Sequence, residues 1–303
     1  MPLPAHGRYD YLRIHRRPDY SWPDGKRLAV YVALNLEHFA FGEGLGAELA
    51  PGGSQLDVLN YAWRDYGKRV GVWRLLDLFE SFKLPVAVLA NTALYEYCPE
   101  VLAAFRARDD EIVAHGHSNS RRQGDLPEHE ERTLIAEVTA TLTRAEGKPP
   151  AGWLGPWISE SRQTPDLLKE AGYRYLLDWC CDDQPLWFKT RAGPILSVPY
   201  PQETNDIPAI VVRRASAAEF AGMIVDNFDE MLEQSSGQPL VCGIALHGYI
   251  MGQPFRLRHL RRALIHIAER ADRIWLTRPG TIAEYIEGLP EGIVPGGYIQ
   301  SAL

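Results

Sequence analysis

Short apolar runs of strand length alternate with segments of helical periodicity along most of the chain. The clearest apolar runs lie at residues 28–36, 85–91 and 239–248, whereas residues 72–79 place apolar side chains at i, i+3, i+4 and i+7. Alternation of this kind favours a parallel sheet with crossover helices. About seven such alternations occur without an internal repeat or a linker, so the sequence predicts one α/β domain, a closed or nearly closed (β/α) barrel of about seven parallel strands.

The flanking segments set the expected limits of this barrel. We expect an N-terminal arm over residues 1–27, the barrel over 28–290 and a C-terminal tail over 291–303. A loop rich in glycine, residues 42–53, follows the first strand, and loops of that length are usually functional or mobile. Shorter strands are predicted at 111–114, 151–155, 173–179, 194–200 and 273–277.

Titratable side chains stand at the carboxyl ends of four predicted strands. In barrels of this kind those ends face the active site, and a buried titratable group is costly unless it is partnered or used. Histidines separated by one residue in an extended segment can reach one metal, although Gly116 could equally let the chain turn and leave His117 in solvent. The sequence therefore predicts acid, base and ligand chemistry at one rim, from Glu37, His38, His115, Asp178 and His247.

Two further groups of residues are candidates for contacts with a substrate. Residues 200–208 place Glu203, Asn205 and Asp206 between prolines, which predicts either a rigid polar loop that binds a hydrogen-bonding substrate or simply a tight turn. Four tryptophans could stack on a ligand or belong to the core, and both interpretations stay open for Trp153, Trp157, Trp179 and Trp187.

Composition and charge exclude several classes of protein. The chain has 303 residues, of which 46% are hydrophobic, and this is enough for a sizeable core. Its net charge of −7 and its scattered basic residues argue against nucleic acid or an anionic membrane as a partner. No apolar run reaches 18 residues and the first thirty residues do not resemble a secretory signal, so we expect a cytoplasmic protein. Four cysteines are too few and too irregularly spaced for a disulfide framework or a zinc site.

The order of these motifs resembles the polysaccharide deacetylase family, whose members hydrolyse N- or O-acetyl groups on a distorted (β/α) barrel. The first motif of that family is a strand ending in Thr-Phe-Asp-Asp-Gly, and residues 35–39 occupy its place here. The resemblance implies that Glu37 stands at the position of the catalytic base and His38 at that of a metal ligand. The late histidine motif of the family, which supplies the catalytic acid, matches His247.

Other family positions are altered in this sequence. The second motif is His-x-x-x-His, in which His115 matches the first histidine and Asn119 replaces the second. A ligand set of His38, His115 and Asn119 contains no carboxylate, which disfavours strong zinc binding. The family arginine expected after the fourth strand is replaced around Trp157. The implied cofactor is therefore none, or a weakly bound divalent metal such as zinc on His38 and His115.

A branch of the family that contains an allantoinase without the usual metal triad is more similar still. The similar stretches cover residues 28–290 and include "YGKRVGVWRLLDLF", "GWLGPWISES", "DWCCDDQPLW", "VPYPQETNDIP" and "GIALHGYIMGQP". The sequence departs from that allantoinase too, since two adjacent carboxylates are expected where Glu37 and His38 stand. The resemblance therefore implies the branch more strongly than it implies allantoin as substrate.

The leading hypothesis is hydrolysis of a carbon–nitrogen amide bond in a small polar molecule, such as a cyclic ureide or an N-acyl compound. Glu37 or His38 would take a proton from the attacking water, with His115 in the catalytic group, and His247 would protonate the departing nitrogen. The predicted substrate-binding residues are Asn119, Trp157, Asp178, Glu203, Asn205 and Asp206.

Two alternatives remain from the sequence. One is a metal-dependent deacetylase of an aminosugar or oligosaccharide, with the metal on His38, His115 and His117. The other is a catalytically inactive barrel that binds a carbohydrate or small ligand through its aromatic rim. In each case the partner is a small molecule, without nucleic acid or membrane, and the barrel could form a homo-oligomer.

Overall fold

The computed structural model describes residues 5–42 and 57–297. Most of the glycine-rich loop after the first strand lies outside these residues. Over the described ranges the chain forms nine strands in one sheet: β1 Leu28–Leu36, β2 Val86–Ala90, β3 Glu111–Ala114, β4 Gly152–Trp153, β5 Tyr175–Leu176, β6 Leu186–Phe188, β7 Ile195–Ser197, β8 Leu240–His247 and β9 Trp275–Leu276.

The strands run in the order β6–β7–β5–β4–β3–β2–β1–β8, and β9 also pairs with β1. All pairs are parallel except β6 with β7, which is antiparallel. The sheet is curled into an incomplete barrel, so the predicted (β/α) barrel is confirmed, although its strands number nine in the described ranges rather than about seven. The sequence analysis missed β6, a three-residue strand whose apolar signal is too short to stand out.

Helices cover the outside of the sheet. Their bounds are α1 Val58–Tyr66, α2 Val72–Ser81, α3 Leu94–Tyr97, α4 Pro99–Ala107, α5 Glu128–Glu146, α6 Thr164–Glu170, α7 Ala217–Gln234, α8 Gly248–Met251, α9 Pro254–Ala268 and α10 Pro279–Glu287. A π-helical turn, Gly67–Gly71, joins α1 to α2. No helix of the described residues is both long and apolar enough to cross a membrane.

The central strand β1 shows how the sequence produces two layers of core. All nine of its residues are buried. Alternate side chains point to opposite faces of a strand, so Leu28, Val30, Val32, Leu34 and Leu36 pack against the helices. The intervening residues, Ala29, Tyr31 and Ala33, fill the inside of the barrel. This continuous apolar run is what a strand buried on both faces requires.

The register of the parallel strands brings their carboxyl ends to one level. Leu36 pairs with Ala90, Ala90 with Ala114, and Ala114 with Trp153. On the other side of β1, Asn35 pairs with His247. The residues that follow these rungs are therefore neighbours at one rim, although they are distant in the sequence: Glu37, Asn91, His115 and Leu154.

Candidate active site

Glu37 lies at the centre of the rim. One carboxylate oxygen, Oε1, accepts a hydrogen bond of 2.6 Å from the side-chain amide of Asn119. The same oxygen lies 3.7 Å from Nε2 of His115 and 3.6 Å from Nε2 of His247. Burial alone would raise the pKa of Glu37, but the positive charge of His247 and the nearby imidazole of His115 hold it well below its usual value. Glu37 is therefore a carboxylate at any physiological pH.

His247 is held from behind by Asp206. Its ring Nδ1 lies 2.6 Å from Oδ1 of Asp206, and its backbone amide donates to Oδ2 of the same carboxylate at 2.7 Å. Burial opposes a charge on the imidazole, but the charges of Asp206 and Glu37 prevail and raise the pKa of His247 to about 9. The ring is consequently an imidazolium at neutral pH, with Nδ1–H on Asp206 and Nε2–H facing Glu37.

His115 completes the group of side chains around Glu37. Its Nδ1 donates to the backbone carbonyl of Leu154 at 2.7 Å, because a carbonyl oxygen can only accept. This contact fixes the ring and turns Nε2 toward Glu37. The Nε2 atom is buried and has no hydrogen-bond partner among the described residues. A buried polar atom without a partner is costly, so it points to a ligand or water at this position.

Two asparagines hold the loops of this rim together. The carbonyl of the Asn91 side chain accepts from the backbone amide of His38 at 2.7 Å, and its amide donates to the backbone carbonyl of His115 and to Asn119. The backbone amide of Asn119 donates to the carbonyl of His38 at 2.8 Å. Asn119 therefore supports Glu37 with its side chain and the β1 loop with its main chain.

Trp157 lies on a strained loop beside this group. It has φ 66°, and Ile158 has φ 52°, which is a left-handed conformation that costs a non-glycine residue roughly 1–3 kcal/mol. The indole nitrogen donates to the backbone carbonyl of Asn119 at 2.8 Å, and the ring meets the edge of Phe39. Such strain persists where surrounding contacts over-determine the loop, and here they place an aromatic wall next to Glu37.

Three predicted substrate-binding residues have contacts within the protein. Asp206 is fully buried behind His247 and contacts its imidazole. The amide oxygen of Asn205 accepts from the backbone of Ile207 at 3.1 Å and shapes the turn. Glu203 is exposed and forms an ion pair with Arg213. The polar segment 200–208 is therefore mainly a support for His247, because Ala245 of β8 pairs with Asn205.

Asp178 also has a supporting position. Its Oδ1 accepts from the backbone amide of Gly155 at 2.7 Å, at the start of the loop that carries Trp157. Burial raises the pKa of Asp178 to about 7. The neighbouring Glu160, whose Oε2 accepts a hydrogen bond from the Trp179 indole, also has a raised pKa because of burial and the charge of Asp178. These two carboxyl groups form a buried acidic pair under the Trp157 loop.

The donor set does not fit a metal ion. The His38 ring packs against Tyr97, with ring centroids 5.0 Å apart, while its backbone joins the rim. Asn119 uses its amide nitrogen on Glu37 and its oxygen on Asn91. His117 lies 3.1 Å from the hydroxyl of Thr92. Of the candidate ligands, His38 and His115 each have a ring nitrogen without a partner, but no group of three His, Cys, Asp or Glu that could hold a metal occurs in the described part of the chain. The described residues therefore do not fit the predicted metal set of His38 and His115.

Sequence reasoning missed three residues of the site. Asn91 directly follows β2, so the same attention to strand ends could have found it. Arg64 on α1 and Tyr249 on α8 are both buried and close to Glu37, as the mutual influence of their charges shows. Arg64 carries no sequence signal, because α1 is separated from β1 by a long loop. Tyr249 lies two residues beyond the end of β8, so attention to the residues just after strand ends could have found it.

Comparison with known proteins agrees with this arrangement. Residues 61–176 match the family model described as polysaccharide deacetylase. The crystal structure of Puue allantoinase is similar, with 28% identity and a TM-score of 0.79 over 91% of this chain and 97% of that one. A probable polysaccharide deacetylase from Pseudomonas aeruginosa PAO1 is 31% identical, with a TM-score of 0.78 over 87% of this chain and 92% of that one. A peptidoglycan deacetylase of Helicobacter pylori is 29% identical over 36% of this chain and 37% of the relative.

The incomplete barrel and the similarity to deacetylases place the chain among hydrolases that act on carbon–nitrogen bonds other than peptide bonds. A rim in which strand ends carry the reactive groups is where barrel enzymes place their chemistry. Together with the 31% identity over most of both chains, the observations show that the chain belongs to the polysaccharide deacetylase family.

Proposed function

We propose that this protein hydrolyses the amide carbon–nitrogen bond of a small polar substrate, a cyclic ureide or an N-acyl compound, by acid–base activation of water. One observation carries the proposal: the carboxylate of Glu37 lies 3.6 Å from Nε2 of His247, whose Nδ1 is held by Asp206 at 2.6 Å. A base and an acid with different protonation states are thus adjacent in one buried site.

Glu37 acts as the base. Asn119 and the two imidazoles all contact Oε1, which leaves Oε2 to bind a water molecule. As this water attacks the amide carbonyl, its proton passes to Glu37 and its oxygen forms the new bond to carbon. The low pKa of Glu37 keeps it ionised before the reaction.

His247 acts as the acid. In the tetrahedral intermediate the carbon–nitrogen bond breaks, and the nitrogen leaves with the proton from Nε2 of His247. Transfer of the proton from Glu37 to the now neutral imidazole restores the starting state, so the atoms balance over the cycle. Asp206 keeps Nδ1 protonated and so directs Nε2 to the reacting atoms.

A panel of ureides and N-acyl compounds tests the proposal, with released acid or ammonia as the readout. Each group in such a site is worth roughly 10²- to 10⁴-fold in rate, so Glu37→Gln and His247→Ala should each reduce kcat by that factor with an unchanged circular-dichroism spectrum. The exposed residues Glu137 and His129 supply matched controls, Glu137→Gln and His129→Ala, which should keep full activity. Near-normal turnover in either site variant, or binding without product in the parent protein, would refute the proposal.

A metal-dependent aminosugar deacetylase is the second candidate. The deacetylases among its relatives favour it, and the peptidoglycan deacetylase of Helicobacter pylori names a substrate of that type. The donor set opposes it, because the side-chain amide of Asn119 bonds to Glu37 and Asn91 and the ring of His38 packs against Tyr97. Acetate release from N-acetylated sugars that depends on added zinc would favour this candidate.

A further inference from the structure

Arg64 is a buried cation beside the proposed catalytic pair. It lies in α1 and only 3% of the residue is exposed. The face of its guanidinium packs on the Phe39 ring, with the central carbon 3.3 Å from the ring centroid. Stacking of this kind fixes the plane of the guanidinium and leaves its edge, with all of its N–H donors, free to bind.

The described residues leave part of this edge without an acceptor. The Nε atom of Arg64 is buried and has no partner within the described residues. Glu37 is close enough to influence the pKa of Arg64, but the groups shown nearest its carboxylate are Asn119 and the two imidazoles. A buried charge without a partner is costly, and proteins keep such a charge mainly where a ligand completes it.

Other unpartnered polar atoms surround the same space. Among the described residues, His115 Nε2 and the Tyr249 hydroxyl come from separate elements near Glu37, and each is buried and lacks a hydrogen-bond partner. Tyr249 lies next to Arg64 as well as to Glu37. Two separate elements therefore direct unpartnered polar atoms toward one place, which is a stronger indication of a ligand than any single residue.

The local charge is suited to an anion. Lys68, one helical turn after Arg64, is also buried, and its only close carboxylate in the described chain is Asp65 at 3.6 Å. Burial lowers the pKa of Arg256, and the nearby negative charge of Asp206 raises it by a smaller amount. The protonated His247 adds to these positive groups.

We infer that the substrate carries a carboxylate next to the amide that is cleaved, and that Arg64 binds this carboxylate through both of its edge nitrogens. The planar fork of a guanidinium matches the two oxygens of a carboxylate, which gives orientation as well as affinity. This inference rests on the proposed function and narrows its substrate class to N-acyl or N-carbamoyl amino acids. Arg64 is a binding and specificity residue that determines which amide reaches Glu37.

The test uses matched pairs of compounds that differ only in this group. N-carbamoylglycine and N-acetylglycine carry the carboxylate, whereas N-carbamoylglycinamide and N-acetylglycinamide carry a neutral carboxamide of similar shape. The parent enzyme should cleave the carboxylates with a kcat/KM about 100-fold higher than the carboxamides, the size expected for charged hydrogen bonds to a buried arginine. Equal or better cleavage of the carboxamides would overturn the inference.

Variants of Arg64 separate binding from structure. Arg64→Met keeps the length of the side chain and should raise KM for the carboxylates about 100-fold, with little change for the carboxamides. Arg64→Lys keeps the charge but loses the fork, so it should recover part of the affinity. Arg69→Met, at an exposed position in the adjoining π-helical turn, is the control and should behave like the parent. A large loss of Tm in Arg64→Met would instead show that Arg64 is structural and would overturn the inference.

Binding measured without turnover separates this inference from the proposed function. In the Glu37→Gln variant, calorimetry should detect binding of N-carbamoylglycine. This binding should disappear when Arg64→Met is combined with Glu37→Gln. If the parent enzyme cleaves amides and Arg64→Met leaves the KM for the carboxylates unchanged, the carboxylate site alone is refuted. A parent enzyme that cleaves nothing, yet binds the carboxylate through Arg64, refutes the hydrolysis alone. Absence of both binding and carboxylate cleavage refutes the inference.

Discussion

Replacement of Asp206 by asparagine tests the electrostatic basis of the proposed acid. Asp206 is fully buried, and both of its oxygens contact His247, at 2.6 Å on the ring and 2.7 Å on the backbone amide. Asp206→Asn keeps the size of the side chain and an oxygen for the backbone amide, but it removes the negative charge. The fold should therefore persist while the protonation of His247 changes.

The size of the effect follows from the pKa of His247. Its rise from 6.5 to about 9 corresponds to about 3 kcal/mol in favour of the imidazolium. Without Asp206, burial should return the pKa to about 6.5 or below, since Glu37 is then the only remaining negative charge in contact with the ring among the described residues. At pH 7.5 the protonated fraction would fall from nearly all to about a tenth, so kcat should fall at least about tenfold.

The assay is the pH dependence of kcat/KM. In the parent enzyme activity should persist up to about pH 9, where His247 loses its proton, whereas in Asp206→Asn it should decline above about pH 6. Asp226→Asn, at an exposed position on α7, is the matched control and should keep the parent profile. An Asp206→Asn enzyme with the parent profile would show that His247 is not the acid, or that Asp206 does not set its charge.

Three further outcomes are expected. In thermal denaturation the parent Tm should fall as pH rises from 6.5 through 9. The reason is that the pKa of His247 is higher in the folded state than in the unfolded state, so protonation of His247 stabilises the fold fully only below the unfolded pKa. Asp206→Asn should lack this decline of Tm with pH. Asp178→Asn should raise Tm at pH 8 but not at pH 4. Because the pKa of Asp178 is raised to about 7, its buried carboxylate destabilises the fold as pH rises from about 4 through 7. An unchanged or lower Tm at pH 8 would contradict this prediction. Dialysis against a chelator should leave kcat within about twofold, because the described residues do not gather three metal ligands. Activity that is lost and then restored by zinc would refute this prediction.

The barrel was predictable because its signals are local. β1 is an uninterrupted apolar run because it is buried on both faces. α2 has apolar residues at helical spacing because it is buried on one face. β6 was missed because three residues carry too little pattern, and its antiparallel pairing with β7 depends on contacts far away in the sequence. The strand count therefore differed although the class of fold did not.

The candidate site was predictable only where it lies on strand ends. Glu37, His115 and His247 come together because parallel strands share a register, and a sequence reveals where a strand ends. Their catalytic roles stay predictions. Asp206 also lies close by, but its burial depends on the pairing of the preceding residue with β8, which no local pattern indicates. Arg64 reaches Glu37 only through the packing of α1, and the same spacing would suit a solvent-facing arginine.

The side chain of Asn91 has a consequence for how this enzyme could change its substrate. One carboxamide joins the main chains that carry His38 and His115 to the side chain that supports Glu37, so these groups form a single rigid block. A mutation inside that block would disturb all of them at once. The guanidinium of Arg64 belongs to a different element, so variation in α1 can alter which molecules are accepted while the hydrolytic machinery stays intact. Divergence of specificity, whether natural or by directed evolution, should therefore begin in that helix.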